Sequence, residues 1–456
     1  MIVSPLDNVF FSGILSTPEM RQIFEEKNYV QKMLDVEAAL AYAEAELGMI
    51  PAEAAKEIAE KADVNLINFE EVRKLLEKTG HFVMAIIISW SKILKNGEYI
   101  HWGVTSQDIT DTATVLLIRD AYALILNDLK IIKDHLSNLA IKYKDTPIVG
   151  RTHITHAVPM TFGLKVAVWL DEINRHHERF NEMKKRLFVG NITGAVGTLA
   201  SFDHKGLDVQ RLTLERLGLN IPSVSWHSAR DVLGEFINGL ALAASTLSKI
   251  AQQILILMRP EIFEIEEPIP PGAIGSSTMP QKKNPKLSER TIALTRILRG
   301  FTVAMSEAIE TIDERSFSTQ FSEFIIIPES CLLMSAILRN MKTILGGLVV
   351  HPENMEKNLS LSKGLINSER VMIALGKYIG RQTAHEVIYH VTMKAWEENR
   401  SFEEMLLEDD TIKKFFSAEE IKNLCNPLTY LGCSSQIVEM VVNKIKTKEV
   451  VNKNEG

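Results

Sequence analysis

A long stretch without glycine or proline, from Ser106 to Lys144, limits what this 456-residue chain can fold into. Its apolar residues recur at alternating steps of three and four: Val115, Ile118, Tyr122, Ile125, Leu129, Ile132, Leu136 and Leu139. A period near 3.5 residues is typical of long helices that pack nearly parallel to one another. The sequence therefore predicts a long helix that begins at Thr105 or Ser106, with Asp108 in its capping turn.

Four further long helices are predicted from similar patterns, at about 160–188, 232–258, 285–312 and 328–345. Together the five predict an all-α fold, an elongated bundle flanked by two smaller helical domains. We place the domain boundaries near residues 105 and 350, which gives domains 1–105, 106–350 and 351–456.

Composition excludes several classes of partner. A net charge of −7 leaves no basic surface for nucleic acid. The three cysteines lack a CxxC spacing and are typical of free thiols in a reducing compartment. The first residues, "MIVSPLDNVF", lack the charged segment followed by an apolar one that is typical of a signal peptide. The apolar runs are shorter than the roughly 18 residues of a membrane span. We expect a cytoplasmic protein with no membrane partner.

Polar clusters interrupt the helical patterns at four places. They are "EKTGHFVMA" with His81, "YIHWGVTSQDITDT" with His101, Thr105, Ser106, Asp108 and Asp111, "VGRTHITHAVPMTFG" with His153 and His156, and "PPGAIGSSTMPQKKNPKLSER" with Ser276, Ser277, Lys282 and Asn284.

The third and fourth clusters admit more than one interpretation. His153 and His156 would share one face if helical, but no cysteine or carboxylate stands at metal-ligand spacing. Acid–base chemistry and a purely structural role both remain open for them. In the fourth cluster, glycines can expose backbone N–H groups that stabilise an anion together with Lys282, although a solvated linker would have a similar composition.

The clusters together resemble the fumarase/aspartase superfamily. "GSSTMPQKKNP" resembles its signature GSSxMPxKxNP, and "GVTSQDITDT" and "GRTHITHAVPMTFG" resemble its first and second conserved regions, in the same order. "TGAVGT" and "PENMEKNLS" are similar to segments of adenylosuccinate lyases. The resemblance implies a homotetramer whose active sites each combine three subunits, a di- or tricarboxylate substrate, and no metal or organic cofactor.

The resemblance also implies an anti β-elimination that releases fumarate. Ser276 matches the base that removes a proton next to a carboxylate, Lys282 its catalytic partner, and His153 the acid that protonates the leaving group. The positions that match substrate-binding residues are His81, His101, Thr105, Ser106, Ser277, Asn284 and Arg315.

Two branches of the family compete for this chain. Adenylosuccinate lyases usually carry a phosphate-binding arginine where this chain has Phe324, a glutamine where it has Ala229, and an Arg-Tyr pair that "GILSTPEM" lacks. The segments "TPIVGRT", "SWHSARD" and "NPLTYLG" resemble 3-carboxy-cis,cis-muconate cycloisomerases, but those enzymes have tryptophan in place of His153.

We therefore predict an adenylosuccinate lyase-like enzyme that eliminates fumarate from an N-succinyl substrate. A cycloisomerase is the alternative within the family. A non-catalytic helical scaffold is the alternative of another class, and the retention of Ser276, Lys282, Asn284 and His153 argues against it.

Overall fold

Helices dominate the structure, a computed structural model that describes residues 4–269, 272 and 275–454. Eighteen α-helices lie in this part of the chain: α1 (Ser12–Leu15), α2 (Pro18–Ile23), α3 (Glu26–Glu46), α4 (Ala52–Glu60), α5 (Phe69–Thr79), α6 (Phe82–Ser91), α7 (Ser106–Lys142), α8 (Phe162–Leu187), α9 (Gly206–Leu217), α10 (Asp231–Leu257), α11 (Lys286–Ala308), α12 (Phe317–Gly346), α13 (Pro352–Leu359), α14 (Ser368–Ile379), α15 (Arg381–Glu397), α16 (Phe402–Glu408), α17 (Ala418–Leu424) and α18 (Ser434–Asn454). Short 3₁₀ turns join some of them, at Val64–Leu66, Gly97–Tyr99, Ala200–Lys205, Leu365–Asn367, Ile412–Lys414 and Pro427–Thr429.

Two small antiparallel sheets accompany the helices in the described residues. Strands β1 (Pro147–Thr152) and β2 (Thr155–Thr161) form a hairpin, and β3 (Ile265–Glu266) pairs with β4 (Val349–Val350). The hairpin corrects the interpretation of His153 and His156 as possible neighbours on a helix face. The β-branched residues of "TPIVGRTHIT" favour extended backbone, and a strand pair satisfies their backbone groups locally.

The all-α prediction is confirmed, and the five long helices are α7, α8, α10, α11 and α12. The largest error in their bounds concerns α12, which was expected to begin at Pro328 but begins at Phe317 and contains Pro328 in its interior. Proline there removes one helical hydrogen bond, a cost of about 3 kcal/mol in an isolated helix. The buried neighbours Ile326, Ile327 and Cys331 supply packing that offsets this cost.

The chain divides into two compact units. Unit 1 comprises residues 1–129, 176–248 and 290–340, and unit 2 comprises residues 130–175, 249–289 and 341–456. All five boundaries between these ranges fall inside long helices rather than in loops. The division at residues 105 and 350 into three domains stays a prediction.

Direct contacts link long helices within unit 1. The ring of Tyr122 in α7 packs edge-on against Phe180 in α8, with centroids 5.6 Å apart. In α11, Thr295 donates its hydroxyl proton to the carbonyl of Ala244 in α10, and Gln320 of α12 donates to Thr110 of α7. These contacts pack long helices side by side, as the seam in α7 predicted.

Two of the long helices, α10 and α12, are apolar and long enough to cross a membrane by length and composition alone. Within their most apolar windows, however, 56% and 67% of the residues are buried inside the protein. Burial of this kind is what core helices of a globular protein require.

The buried face of α3 carries two glutamates seven residues apart, Glu37 and Glu44. Glu37 pairs with His101, whereas neither carboxylate oxygen of the fully buried Glu44 has a hydrogen-bond partner in the described part of the chain. Burial, and after it the charge of Glu37, raises the pKa of Glu44 to about 9. Glu44 therefore holds its proton at neutral pH.

Replacing Glu44 with glutamine is expected to weaken the pH dependence of stability. The ordinary pKa of 4.5 applies in the unfolded chain and about 9 in the folded one, so the folded state binds the extra proton between these values. The free energy of unfolding therefore falls as pH rises through this range, by up to about 1.4 kcal/mol per pH unit. Urea titrations at several pH values should show a shallower decline in Glu44→Gln than in the exposed control Glu53→Gln. Equal slopes in the two variants would contradict the assignment.

Candidate active site

His101 lies in the loop before α7 and binds the buried carboxylate of Glu37. Its Nδ1 is 2.6 Å from Glu37 Oε1, and its backbone N–H donates to Oε2 at 3.0 Å. Burial alone would lower the pKa of His101, but the charge and hydrogen bond of Glu37 outweigh it, so the pKa is raised. A ring held by Glu37 in this way favours the imidazolium form, which can donate to a carboxylate.

The N-terminus of α7 gathers further groups that suit an anion. Ser106 is its first residue, and Thr105 directly precedes it. The guanidinium of Arg315 donates a hydrogen bond to Thr105 Oγ1. The N-terminus of a helix carries partial positive charge and unpaired N–H groups, so the hydroxyls and Arg315 lie where a carboxylate is stabilised.

Asp108, in the first turn of α7, holds this loop in position. One carboxylate oxygen accepts the backbone N–H of Thr105 at 3.0 Å and of Gly194 at 2.9 Å. The other accepts the N–H of Thr193 at 3.0 Å and the Nε2–H of His227 at 2.9 Å. The hydroxyl of Thr193 also donates to this second oxygen, at 3.3 Å. Five donors on one fully buried carboxylate fix the backbone beside Thr105 against the segment "TGAVGT".

A buried ion triad lies one helical turn further along α7. Arg230 donates to both oxygens of Asp111, at 2.8 and 2.9 Å, and to both oxygens of Glu323 in α12. Its guanidinium also lies over the ring of Trp226, 4.8 Å from the centroid. All three charged side chains are almost completely buried, so each depends on its partners for solvation.

His81 is the least constrained of the predicted site residues in unit 1. It caps the N-terminus of α6, where its Nδ1 accepts the backbone N–H of Met84 at 3.4 Å, and its side chain is exposed. Its substrate-binding role stays a prediction.

In unit 2, Ser276 lies at the start of a tight turn. Its Oγ accepts the backbone N–H of Met279 at 3.1 Å and of Thr278 at 3.3 Å. Two donors directed at a hydroxyl oxygen favour its deprotonated form. Ser277 and Lys282 are exposed beside it, and no side-chain partner of either is found among the described residues. Pro270, Pro271, Ala273 and Ile274 of the same cluster lie outside the described residues.

Several side chains support the turn that carries Ser276. Asn284 donates to the carbonyl of Gly275 at 2.9 Å, and any side chain at Gly275 would collide with the backbone carbonyl of Lys282. Lys283 donates to Glu266 at 2.9 Å, and His351 donates to the other oxygen of that carboxylate at 2.9 Å. Burial alone would raise the pKa of Glu266, but these two partners hold it below its usual value.

The second carboxylate of this segment, Glu267, caps α11. It accepts the backbone N–H groups of Leu287 and Ser288, each at 3.0 Å, and the hydroxyl of Ser288 at 2.8 Å. Two adjacent carboxylates that precede the serine turn, Glu266 and Glu267, thus bind residues that follow it.

His153 lies at the tip of the β1–β2 hairpin. The turn consists of His153 and Ile154, whose φ angles of 49° and 65° are both left-handed. Such a conformation is unusual for a β-branched residue, and Ile154 is 92% exposed. The turn presents the His153 imidazole to the outside of its unit, whereas His156 pairs with Arg151 across the strands.

The predicted residues thus fall into two groups. Unit 1 contains His81, His101, Thr105, Ser106 and Arg315, and unit 2 contains His153, Ser276, Ser277, Lys282 and Asn284. The sequence placed Asp108 in the capping turn of α7, named Asp111 without a role, and missed Glu37, Glu266 and His351. A usable signal for Glu37 was its heptad spacing from Glu44 in an alanine-rich helix.

A search for metal ligands found no group of three or more histidine, cysteine, aspartate or glutamate side chains that could hold an ion within the described ranges. The predicted absence of a cofactor stays a prediction.

Comparison with known proteins assigns the chain to a family. The profile of a family described as lyase matches residues 14–299, and one described as adenylosuccinate lyase C-terminus matches residues 364–441. The chain therefore belongs to the fumarase/aspartase superfamily, in the branch that contains adenylosuccinate lyases and 3-carboxy-cis,cis-muconate cycloisomerases.

Individual relatives cover nearly the whole chain. An N-acetyl-S-(2-succino)cysteine lyase from Dickeya dadantii is 42% identical over 96% of both chains. An adenylosuccinate lyase from Methanocaldococcus jannaschii is 43% identical over 98% of this chain and 97% of its own. The structure of a 3-carboxy-cis,cis-muconate lactonizing enzyme from Pseudomonas putida has a TM-score of 0.90 and 34% identity, covering 96% of this chain and 99% of its own.

These relatives confirm the prediction of a fumarate-releasing lyase as a reaction class. A small-molecule substrate agrees with them, whereas the homotetramer and the roles of individual residues stay predictions.

Proposed function

We propose that this lyase releases fumarate from a small succinyl-substituted amine or thiol by anti β-elimination. Ser276 is the base, His153 the acid, and Lys282 stabilises the charge that develops on the substrate. The observation that carries the proposal is the pair of backbone N–H groups directed at Ser276 Oγ. These two donors would stabilise a serine alkoxide.

The first step removes a proton from the carbon next to a carboxylate. The electron pair moves into that carboxylate, which then carries two negative charges. Preorganised donors that meet this charge contribute most to such a step. Lys282 and Asn284 follow Ser276 within the same turn, so the base and the stabilising cation can reach one substrate together.

The other carboxylate of the succinyl group is assigned to the start of α7. Thr105, Ser106 and Arg315 offer hydroxyls and a guanidinium, and His101 offers an imidazolium held by Glu37. Each is a donor, so together they favour a dianionic substrate over a neutral one.

The second step breaks the bond between carbon and the leaving heteroatom. His153 donates the proton to that atom, as an amine needs because an unprotonated amide ion is a very poor leaving group. The cycloisomerases of this branch have tryptophan at that position, so His153 favours elimination over lactonisation.

The side chains around Phe324 favour a substrate without phosphate. Phe324 contacts the rings of Tyr29 and Phe321 at centroid distances of 6.3 and 6.4 Å, and Tyr29 stacks on Phe82 at 6.1 Å. This aromatic cluster stands where adenylosuccinate lyases usually carry an arginine suited to phosphate. Apolar surface instead suits the uncharged part of a smaller leaving group.

Adenylosuccinate is the second candidate substrate, since the adenylosuccinate lyase from Methanocaldococcus jannaschii is as similar to this chain as the succinocysteine lyase is. If adenylosuccinate is the substrate, side chains elsewhere bind its phosphate, since position 324 is a phenylalanine.

We also propose that the protein is a homotetramer whose active sites each draw residues from three subunits. Exposed apolar side chains recur along the long helices of unit 1: Leu242, Ile297, Val303, Phe317, Phe321 and Ile325. Large exposed apolar patches mark interaction sites on soluble proteins, so these side chains support an interface between copies of this chain. Light scattering that gives the mass of one or two chains would overturn this assignment.

The test is fumarate release from a panel of succinyl substrates, followed by absorbance. N-acetyl-S-(2-succino)cysteine, a simple N-succinyl amino acid and adenylosuccinate form the panel, with Ser276→Ala as the blank. Lactone formation from 3-carboxymuconate, which releases no fumarate, is followed in a separate assay. We expect kcat/KM for a phosphate-free succinyl compound to exceed that for adenylosuccinate by about 100-fold or more, equivalent to one lost charge-assisted phosphate contact. A preference for adenylosuccinate would assign the second candidate, and turnover of 3-carboxymuconate alone would overturn both.

A further inference from the structure

A cavity of about 370 Å³ opens in unit 2 beside the β1–β2 hairpin, apart from the residues assigned to the reaction. The hairpin supplies Arg151 and His156 to its wall, and helix α8 supplies Lys165. Gln253 of α10 and Arg259 beyond its end complete the polar part of the lining. The volume is within the range of small-molecule sites.

Four polar side chains of this wall have no partner among the described residues. The side chains of His156, Lys165, Gln253 and Arg259 make no hydrogen bond or ion pair with any residue that the structure describes. His156, Lys165 and Gln253 are partly buried, whereas Arg259 is exposed. Buried polar groups are normally paired, so three partly buried side chains without a partner around one cavity point to a missing ligand.

The charge of the cavity is positive. Arg151 is neutralised by a bidentate pair with the buried carboxylate of Glu264, at 2.9 and 2.7 Å, and Asn358 donates to that carboxylate as well. Two further cations, Lys165 and Arg259, therefore line the cavity together with a single carboxylate of the described lining, Glu261. Burial, and after it the charge of Arg151, lowers the pKa of both Lys165 and His156. The negative charge of a bound anion would raise both pKa values again.

We propose that this cavity binds a small carboxylate or phosphate anion at a site separate from the one that performs the elimination. Lys165 and Arg259 supply charge-assisted hydrogen bonds, and His156 and Gln253 supply further donors. Ile154 and Leu257 form apolar walls that can contact a short carbon skeleton. Since Ile154 follows His153 in the hairpin turn, an occupant contacts the turn that carries the proposed acid.

The test compares the thermal stabilisation of two lysine variants by inorganic phosphate and by succinate. An anion that binds only the folded state stabilises it by an amount that grows with the logarithm of its concentration relative to Kd, so the wild-type unfolding midpoint should rise by a few degrees. Lys165→Met should weaken the apparent affinity about tenfold or more, whereas Lys282→Met, which removes a cation of the reaction site, should retain the effect of the stronger anion. Comparison of the two anions identifies which chemistry the site prefers.

Controls separate binding from ionic strength and from misfolding. Sodium chloride at matched ionic strength should not reproduce the rise. Screening depends only on ionic strength, so an effect of phosphate or succinate beyond that of chloride reports specific binding. His156→Gln is a second variant that should weaken binding, and Lys165→Arg should preserve it if Lys165→Met proves unstable. A rise that persists unchanged in Lys165→Met and His156→Gln, or that chloride reproduces, would overturn the proposal, as would the absence of any rise in the wild-type protein.

Discussion

Ser276→Ala is expected to slow fumarate release by about 10²- to 10⁴-fold, the usual contribution of a positioned general base. The loss should fall on kcat with KM little changed, because the alanine variant retains the groups proposed to bind the substrate. Single-turnover and steady-state assays on the best substrate of the panel would separate the two constants. The exposed neighbour Gln281→Ala is the matched control in the same loop. A Ser276→Ala enzyme within a few-fold of the control would remove Ser276 from the role of base.

His153 offers an independent check on the same mechanism. An amine must be protonated as it leaves, whereas a thiol with a pKa near 8.5 leaves readily as a thiolate. His153→Gln should therefore impair an N-succinyl substrate far more than an S-succinyl one. Equal losses on both would mean that His153 acts in binding or positioning rather than as the acid.

Arg230→Met is expected to destabilise the protein by about 3–5 kcal/mol, because it leaves two buried carboxylates without a counter-ion. Asp111 and Glu323 are 3% and 4% exposed, and Arg230 donates to both oxygens of each. Burial by itself lowers the pKa of Arg230, but the two carboxylates raise it above its ordinary value, so the guanidinium stays charged. Urea unfolding followed by fluorescence would report the loss.

The matched control for the triad is an exposed arginine pair. Arg186 and Glu235 form a bidentate pair in which both side chains are more than a third exposed, so Arg186→Met should cost at most about 1 kcal/mol. Adding Asp111→Asn and Glu323→Gln to Arg230→Met should recover part of the loss, since the uncompensated charges are then removed. Equal losses of unfolding free energy in Arg230→Met and Arg186→Met would show that burial adds nothing to the contribution of the triad to stability.

The long helices could be predicted because their signal is local. The seam of α7 and the capping residues near Ser106 lie within the helix they define, and the observed helix begins at Ser106. The hairpin of residues 147–161 was missed because each strand is short and the signal of two strands depends on their pairing. The start of α12 was missed because Pro328 is a strong local stop signal that the packing of its buried neighbours overrides.

The candidate site divides in the same way. Ser276, Lys282, Asn284 and His153 could be named because a short motif contains them, and the resemblance to a family supplied their roles as predictions. Their supporting partners could not be named: Asp108 and His227 are 119 residues apart, and Glu266 and His351 are 85 apart.

By itself the sequence determined the helical class of this protein, the positions of its polar clusters and its family. The tertiary structure alone decided which buried carboxylate meets which donor, how the serine turn is held, and that Glu44 has no hydrogen-bond partner among the described residues. The physical reason is that helix periodicity and capping are properties of neighbouring residues. The protonation state and orientation of a buried polar group instead depend on burial and on partners that the fold brings from distant segments.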